Sequence, residues 1–239
     1  MLILGIESAS LTASAALLAD DTVAAEFTTN FKKTHSQTIL PMIDEVLRMA
    51  DASVEDLTAI AVSQGPGSFT GLRIGVSTAK GLAFPYDLPL IPVPTLDAIA
   101  YGCFGSEAVL CPLMDARRSE VYSGLYGFSG AEFIVYEKAL ARPITEQVRA
   151  AEALSEKLDR PVLYLGDGLP VFREEIERIA SRPTLFAPAH TRCQHAGAVA
   201  ALGAKLFAEG IQESALTFEP VYLRKSQAEQ ERERKEACS

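Results

Sequence analysis

A glycine-rich stretch, Gly65-Pro66-Gly67-Ser68-Phe69-Thr70-Gly71, offers the clearest opportunity for chemistry in this sequence. It follows the apolar run 57–63, which predicts a buried strand, and it leads into a predicted helix at about 71–84. A turn of this kind leaves backbone amides free at the helix start, and its glycines let the backbone approach a ligand closely. The candidate residues for such an anion-binding loop are Gly65, Gly67, Ser68 and Gly71.

The stretch matches neither of the two common phosphate-binding patterns. A dinucleotide-binding loop would need its third glycine at Thr70, and the Walker loop of ATPases needs a glycine, a lysine and a hydroxyl residue in succession. Lys80 lies well inside the predicted helix, too far from its start to reach a phosphate there. Two hypotheses therefore stay open: a loop that binds a nucleotide, and a tight turn whose glycines serve packing.

The other residues that could act as catalysts or metal ligands are isolated in the sequence. Glu7 ends the first predicted strand and could hold a metal ion or a water, although a carboxylate in that position is usually solvated. His35 has no second metal ligand near it, and the segment 190–195 has neither His-x-x-x-His nor zinc-finger spacing. The segment 115–120 reads as an exposed charged turn with internal ion pairs. We predict no catalytic residue and no metal site.

Length and composition restrict the class of protein. The chain has 239 residues, 48% of them hydrophobic, which suits one large or two smaller domains with a real core. A net charge of −9 argues against a chain that binds nucleic acid on its own. No apolar run could span a membrane or form a signal peptide, so we expect a cytoplasmic protein without membrane contact. Reduced thiols are expected at Cys103, Cys111, Cys193 and Cys238.

The elements that must position these residues form two α/β lobes. The front lobe, 1–104, is predicted as three strands followed by alternating helices and strands, in the order βββαβαβα. The second lobe, 105–224, contains a helix at 196–209 that we expect to pack back toward the front lobe. Residues 225–239 are almost entirely polar, and we expect them to form a flexible tail.

The first two helices of the front lobe carry more apolar surface than one sheet would cover. In the helix 36–50 the apolar side chains fill an arc of roughly 180°, whereas a helix on a sheet needs a stripe of about 100°. The helix 71–84 has a stripe of small residues that admits another backbone. This favours a docking and dimerisation surface, unless another segment of the same chain covers the helices. The predicted interface residues are Ile39, Leu40, Met42, Ile43, Val46, Leu47, Leu72, Gly75, Val76 and Ala79.

Five segments, in this order along the chain, resemble the bacterial TsaB (YeaZ) family. They are 4–8, 35–36 with 40–43, 65–81, 115–122 and 220–224, and the most specific is the block 65–75, GPGSFTGLRIG. The resemblance implies a two-lobed actin-like fold of the sugar-kinase type (ASKHA), in which ribonuclease-H-like mixed sheets are flanked by helices. It also implies that family members pair through the first two helices of the front lobe.

The resemblance further implies a supporting role in tRNA modification. Members of the TsaB family assist a paralogue, TsaD. TsaD transfers the threonylcarbamoyl group to the adenosine at position 37, beside the anticodon, in tRNAs that read codons beginning with A. TsaE, an ATPase, joins the pair in a ternary complex. The chain would then be a non-catalytic scaffold or activator that binds no cofactor alone, because its partners hold the metal and the nucleotide. It would meet tRNA only through the complex, and the isolated chain could form a homodimer.

Two positions bear on the non-catalytic role. At the positions that match the metal-binding His-x-x-x-His of the paralogue, this chain has Thr95 and Ile99, which cannot hold a transition metal as histidine does. One alternative is a stand-alone ATPase or small-molecule kinase that uses Glu7 and the Gly65 loop. Another is a glycoprotease-like metalloprotease, for which this sequence lacks the ligands.

Overall fold

Two five-stranded sheets carry the fold, and helices pack against both of them. The structure is a computed structural model that describes residues 1–31 and 34–224. The predicted α/β architecture with two mixed sheets is confirmed. The flexible tail predicted at 225–239 lies outside the described residues.

The first sheet has the strand order β3-β2-β1-β4-β5. β1, β2 and β3 are antiparallel neighbours, and β4 and β5 run parallel to β1. β1 and β4 are continuous apolar runs because helices cover both of their faces. The strands and helices of this half are β1 (Leu2–Glu7), β2 (Ala13–Ala19), β3 (Thr22–Thr29), α1 (His35–Met49), β4 (Ala59–Gly65), α2 (Phe69–Ala83), β5 (Leu90–Pro94) and α3 (Thr95–Tyr101).

The second sheet has the strand order β10-β9-β6-β7-β8. β6, β7 and β8 are antiparallel neighbours, and β9 and β10 run parallel to β6. Short 3-10 turns at Val54–Asp56 and Phe84–Tyr86 complete the regular structure of the described chain. The elements of this half are β6 (Val109–Asp115), β7 (Glu120–Ser129), β8 (Glu132–Pro143), α4 (Ile144–Leu158), β9 (Val162–Leu165), α5 (Leu169–Ile179), β10 (Thr184–Phe186) and α6 (Ala196–Ala208).

The helix α6 lies on the first sheet, on the face opposite α1 and α2. Its residues Val199 and Leu202 share an apolar cluster with Ile3 and Ile91 of the strands. A Cβ at Gly203 would come within 2.5 Å of the Ala61 Cβ, so the small residues of α6 allow the helix to approach the sheet closely. The first sheet is therefore enclosed by helices on both faces.

The apolar arc of α1 is covered by its own chain, which corrects most of the predicted interface. α1 packs on the sheet and beside α2, and the segments around Leu57 and Phe218 close the same cluster from the side. Of the predicted interface residues, Leu40, 55% exposed, and the partly buried Met42 keep a surface that a partner could touch. The predicted interface residues that are buried within the chain are Ile39, Ile43, Val46, Leu47, Leu72, Gly75, Val76 and Ala79.

Candidate functional site

An open cleft of about 710 Å³ lies between the two sheets. The loop 9–11 and the start of α2 line it on the side of the first sheet. On the other side lie Asp167 and the β6–β7 turn, and the segment 222–224 borders it as well. The glycine-rich stretch predicted as an anion loop therefore lines this cleft.

The glycines of the stretch make room for the chain's own backbone. A Cβ at Gly67 would lie 2.4 Å from the Ala9 carbonyl oxygen, and one at Gly71 would lie 2.2 Å from the Ser8 carbonyl oxygen. At Gly75 it would meet the Ser8 hydroxyl at 2.1 Å. These distances are far below van der Waals contact, so the loop 8–9 occupies the space that the glycines leave free.

Polar groups of the loop bond within the chain as well. The Ser68 amide donates to the Ala9 carbonyl at 2.6 Å, and the Ser68 hydroxyl caps α2 by accepting from the Gly71 amide at 3.3 Å. The Ser8 hydroxyl donates to the Gly71 carbonyl at 2.9 Å. Lys80 donates to the Phe218 carbonyl at 3.1 Å, so it is engaged away from the loop. Of the two hypotheses for this stretch, the geometry favours packing.

Glu7 is fully buried, which corrects the expectation of a solvated carboxylate at the end of β1. It accepts hydrogen bonds from the Ser63 hydroxyl and from the Ala9 amide, the latter at 2.6 Å. Burial raises the pKa of Glu7 to about 7, and these two hydrogen bonds only partly oppose the rise. Glu7 thus anchors the loop that fills the glycine turn.

Sequence reasoning missed Asp167 as a neighbour of Glu7. Burial, together with the charge of Asp115, raises the pKa of Asp167 to about 6, and Asp167 in turn raises the pKa of Glu7. The buried Gln194 side chain donates to Asp167 at 3.4 Å. Glu7, Asp115 and Asp167 end or follow the strands β1, β6 and β9, and that shared position was the signal available in the sequence. In the described part of the chain, no set of His, Cys, Asp or Glu side chains has the geometry of a metal site.

Replacing Glu7 with glutamine is expected to remove a pH-dependent loss of stability. Because the folded pKa of Glu7 is about 7 and its ordinary value is 4.5, the unfolded chain loses this proton first as the pH rises. The wild-type chain should therefore lose about 2 kcal/mol more of its unfolding free energy than Glu7→Gln between about pH 5 and about pH 8. Urea unfolding at both pH values measures this, and equal losses in the two proteins would contradict it.

The remaining candidate residues have structural contacts. The His35 ring lies 3.3 Å from the Thr12 carbonyl oxygen, which agrees with a hydrogen-bonding role. Thr95 and Ile99 are buried on α3, where Ile99 joins an apolar cluster. In the segment 190–195, His195 is 3.4 Å from Glu26.

Glu26 and His195 fix the start of α6 on the first sheet. Glu26 accepts a hydrogen bond from the Gly197 amide at 3.1 Å. Burial alone would raise the pKa of Glu26, but hydrogen bonds from His195 and Gly197 hold it below its usual value. The hydrogen bond to Glu26 raises the pKa of His195. The pair thus supports the helix rather than the cleft.

Comparison with known proteins shows which family the chain is similar to. The family model described as "TsaD: tRNA N6-adenosine threonylcarbamoyltransferase" matches residues 22–232. A Bacillus subtilis protein named "tRNA threonylcarbamoyladenosine biosynthesis protein TsaB" is 34% identical over 229 residues, covering 96% of each chain. The chain belongs to the TsaB family. An Escherichia coli TsaB is 43% identical over 129 residues, which are 53% of this chain and 55% of that protein.

A solved TsaB-type structure has the same fold as this TsaB-family chain. YeaZ from Pseudomonas aeruginosa matches with a TM-score of 0.79 and 26% identity, over 93% of this chain and 99% of that one. A Staphylococcus aureus (strain Newman) tRNA N6-adenosine threonylcarbamoyltransferase is 46% identical over 80 residues, which are 34% of this chain and 24% of that protein. Within the described residues, every helix is too short or too polar to cross a membrane.

Proposed function

We propose that this TsaB-family chain is a non-catalytic subunit in tRNA threonylcarbamoyladenosine biosynthesis, where it binds a TsaD-type transferase and activates it. The transferase modifies the position-37 adenosine, a TsaE-type ATPase completes the assembly, and tRNA meets this chain through the complex. The partners hold the metal and the nucleotide. The proposed role belongs to the cytoplasm, where tRNA is modified.

The observation that carries the proposal is the filled glycine loop. A phosphate cradle needs free amides, whereas here the Ser68 and Gly71 amides donate within the chain and the loop 8–9 fills the space beside Gly67 and Gly71. The motif therefore keeps the shape of a nucleotide loop and serves packing. Thr95 and Ile99, which offer no metal ligand to replace the histidines of the paralogue, support the same role.

The docking face is proposed to be the outward side of α1 and α2, which pack next to each other on the sheet. Leu40 is 55% exposed on α1, and Met42 lies partly buried at the edge. On α2, Ile74 is partly exposed and Ser77 is exposed, so a partner helix could approach closely between them. The isolated chain is proposed to form its homodimer through this same face.

Reconstitution of the modification tests the proposal. Purified TsaD-type and TsaE-type partners, unmodified tRNA, ATP and the threonylcarbamoyl precursors are combined with and without this chain. We expect threonylcarbamoyladenosine to form only when the chain is present, and full activity without it would contradict the proposal. Calorimetric titration of the chain alone with ATP and magnesium is the matched control, because micromolar binding would favour a stand-alone ATPase instead.

A further inference from the structure

The segment 219–224, here called the strap, is fixed first to the end of β4. The Gln64 side chain donates to the Glu219 carbonyl at 3.0 Å, and the Val221 amide donates to the Gln64 carbonyl at 2.8 Å. A Cβ at Gly65 would lie 2.2 Å from the Val221 carbonyl oxygen. Gly65, which has a φ of 129°, therefore also leaves room for the backbone of the strap.

The strap next contacts the start of α2. The Tyr222 ring lies 4.5 Å from the Phe69 ring, and the Tyr222 hydroxyl accepts a hydrogen bond from the Arg73 side chain at 3.2 Å. The Arg73 guanidinium lies over the Phe69 ring at 3.9 Å. Tyr222, Phe69 and Arg73 therefore stack together at the edge of the cleft, and this stack holds the middle of the strap on the front lobe.

Although the strap was predicted as part of the second lobe, it lies on the first sheet, and its last described residue, Arg224, reaches across to the second sheet. Its guanidinium donates to the Ala116 carbonyl at 3.1 Å and forms an ion pair with Glu120. Both side chains of the ion pair are only 27% exposed, so solvent screens this pair less than a surface pair. The strap thus joins the front lobe to the β6–β7 turn.

The turn that receives Arg224 has an unusual backbone. Arg117, Arg118 and Ser119 have φ values of 67°, 57° and 59°, in the left-handed region that side chains other than glycine disfavour. The Ala116 amide closes the turn by donating to the Glu120 carbonyl at 3.0 Å. Three successive residues in this conformation need external support, and Arg224 bonds to both ends of the turn.

The lobes also meet away from the strap, in an apolar cluster that includes α3 and, at the base of the cleft, Leu72 and Met114. The Tyr126 hydroxyl of β7 donates to Asp97 of α3 at 2.9 Å, and Ile99 shares an apolar cluster with Phe128. This contact is packed and apolar, whereas the strap crosses between the lobes through a single arginine side chain. Such an arrangement allows rotation about the packed contact once the polar crossing is broken.

We propose that the strap is a latch between the lobes and that Arg224 is the residue that positions the β6–β7 turn against it. With Arg224 bound to Ala116 and Glu120, the cleft is held at its present width. When this contact is lost, the lobes rotate about the apolar cluster that joins them and the turn relaxes. The proposal requires no partner, so it stands apart from the proposed function.

Hydrogen exchange in the full chain measures the first consequence. In Arg224→Ala we expect the amides of Ala116 and Glu120 to exchange at least about tenfold faster than in the wild type. Arg224→Lys keeps the charge and should restore part of the protection. Arg118→Ala is the matched control, because it changes an exposed arginine of the same turn without touching the strap, and it should leave the exchange unchanged.

Pulsed electron paramagnetic resonance measures the second consequence, the width of the cleft. Spin labels at positions 205 and 174, exposed sites on α6 and α5 away from the proposed docking face, report the distance between the lobes. All native cysteines except the buried Cys111 are first replaced by serine, namely Cys103, Cys193 and Cys238. We expect one narrow distance distribution in the wild type, and a broader one shifted to longer distances in Arg224→Ala.

The two measurements together decide the proposal. Faster exchange with an unchanged distance would mean that Arg224 only supports the turn, which overturns the latch, as would no change in either measurement. Glu120→Gln removes the other half of the ion pair and leaves the strap intact. It should reproduce the opening, and it keeps the test valid if Arg224→Ala folds poorly.

Discussion

Adding one methyl group to α2 should destabilise the folded chain at one end of the helix and stabilise it at the other. At Gly71 the new Cβ would lie 2.2 Å from a backbone oxygen of Ser8, which cannot move aside without disturbing β1. We expect Gly71→Ala to lower the free energy of unfolding by about 3 kcal/mol. At Gly81 nothing lies within 4 Å, so Gly81→Ala should raise it by about 0.5–1 kcal/mol through helix propensity alone.

Urea unfolding followed by circular dichroism measures this difference, because the chain contains no tryptophan for fluorescence. Gly81→Ala is the matched control, since it makes the same substitution in the same helix. A Gly71→Ala variant as stable as the wild type would show that the loop 8–9 does not fill the glycine turn. The hypothesis of a nucleotide loop would then be open again.

A positive charge at Leu40 is expected to abolish docking of the TsaD-type partner while leaving the fold intact. Leu40 is 55% exposed on the outward side of α1, so Leu40→Arg buries no charge in the free chain. In the complex it would place an unpaired guanidinium in an apolar contact. We expect partner capture at least about tenfold weaker, measured by surface-immobilised binding with the purified transferase.

Two further variants separate docking from folding. Leu185→Arg, at a similarly exposed leucine of β10, should bind the partner as the wild type does. Ile43→Asp should also lose binding, but through unfolding, because Ile43 is 1% exposed in the core and an unpaired buried carboxylate costs several kcal/mol. Wild-type affinity in Leu40→Arg would contradict the proposed docking face.

Much of the architecture could be predicted because it depends on local patterns. The apolar runs of β1 and β4 and the helical periodicity of α1 identify their own secondary structure, since each reflects which side of an element is buried. The boundaries of α2 moved by about two residues, because Ser68 caps the helix earlier than Gly71 implied. The family could be recognised because its glycine block is long and specific.

The sequence could not predict which segments contact the apolar and glycine-rich surfaces. A wide apolar arc shows that α1 must be covered, but the same arc serves a second chain or, as found, α2 and the segments around Leu57 and Phe218. Likewise, the glycines show that something approaches closely, yet only the folded chain shows that Ser8 and Val221 do so. Glu7 and Asp167 are far apart in sequence, and Asp167 raises the pKa of Glu7 only because the fold brings the two together.

What the sequence determined by itself is most of the strands and helices, though not the short strand β10, together with the two-lobed class of fold and the family. Side-chain periodicity and motif spacing are local properties of the chain, which is why they could be read from it. What the tertiary structure alone decided is which surfaces are covered by other segments of the same chain. These are the buried face of α1, the glycine turn filled by the loop 8–9 and the surface under the strap. These depend on contacts between residues distant in sequence. Burial, electrostatic coupling and close approach are properties of such pairs of residues, and they cannot be read from either residue by itself.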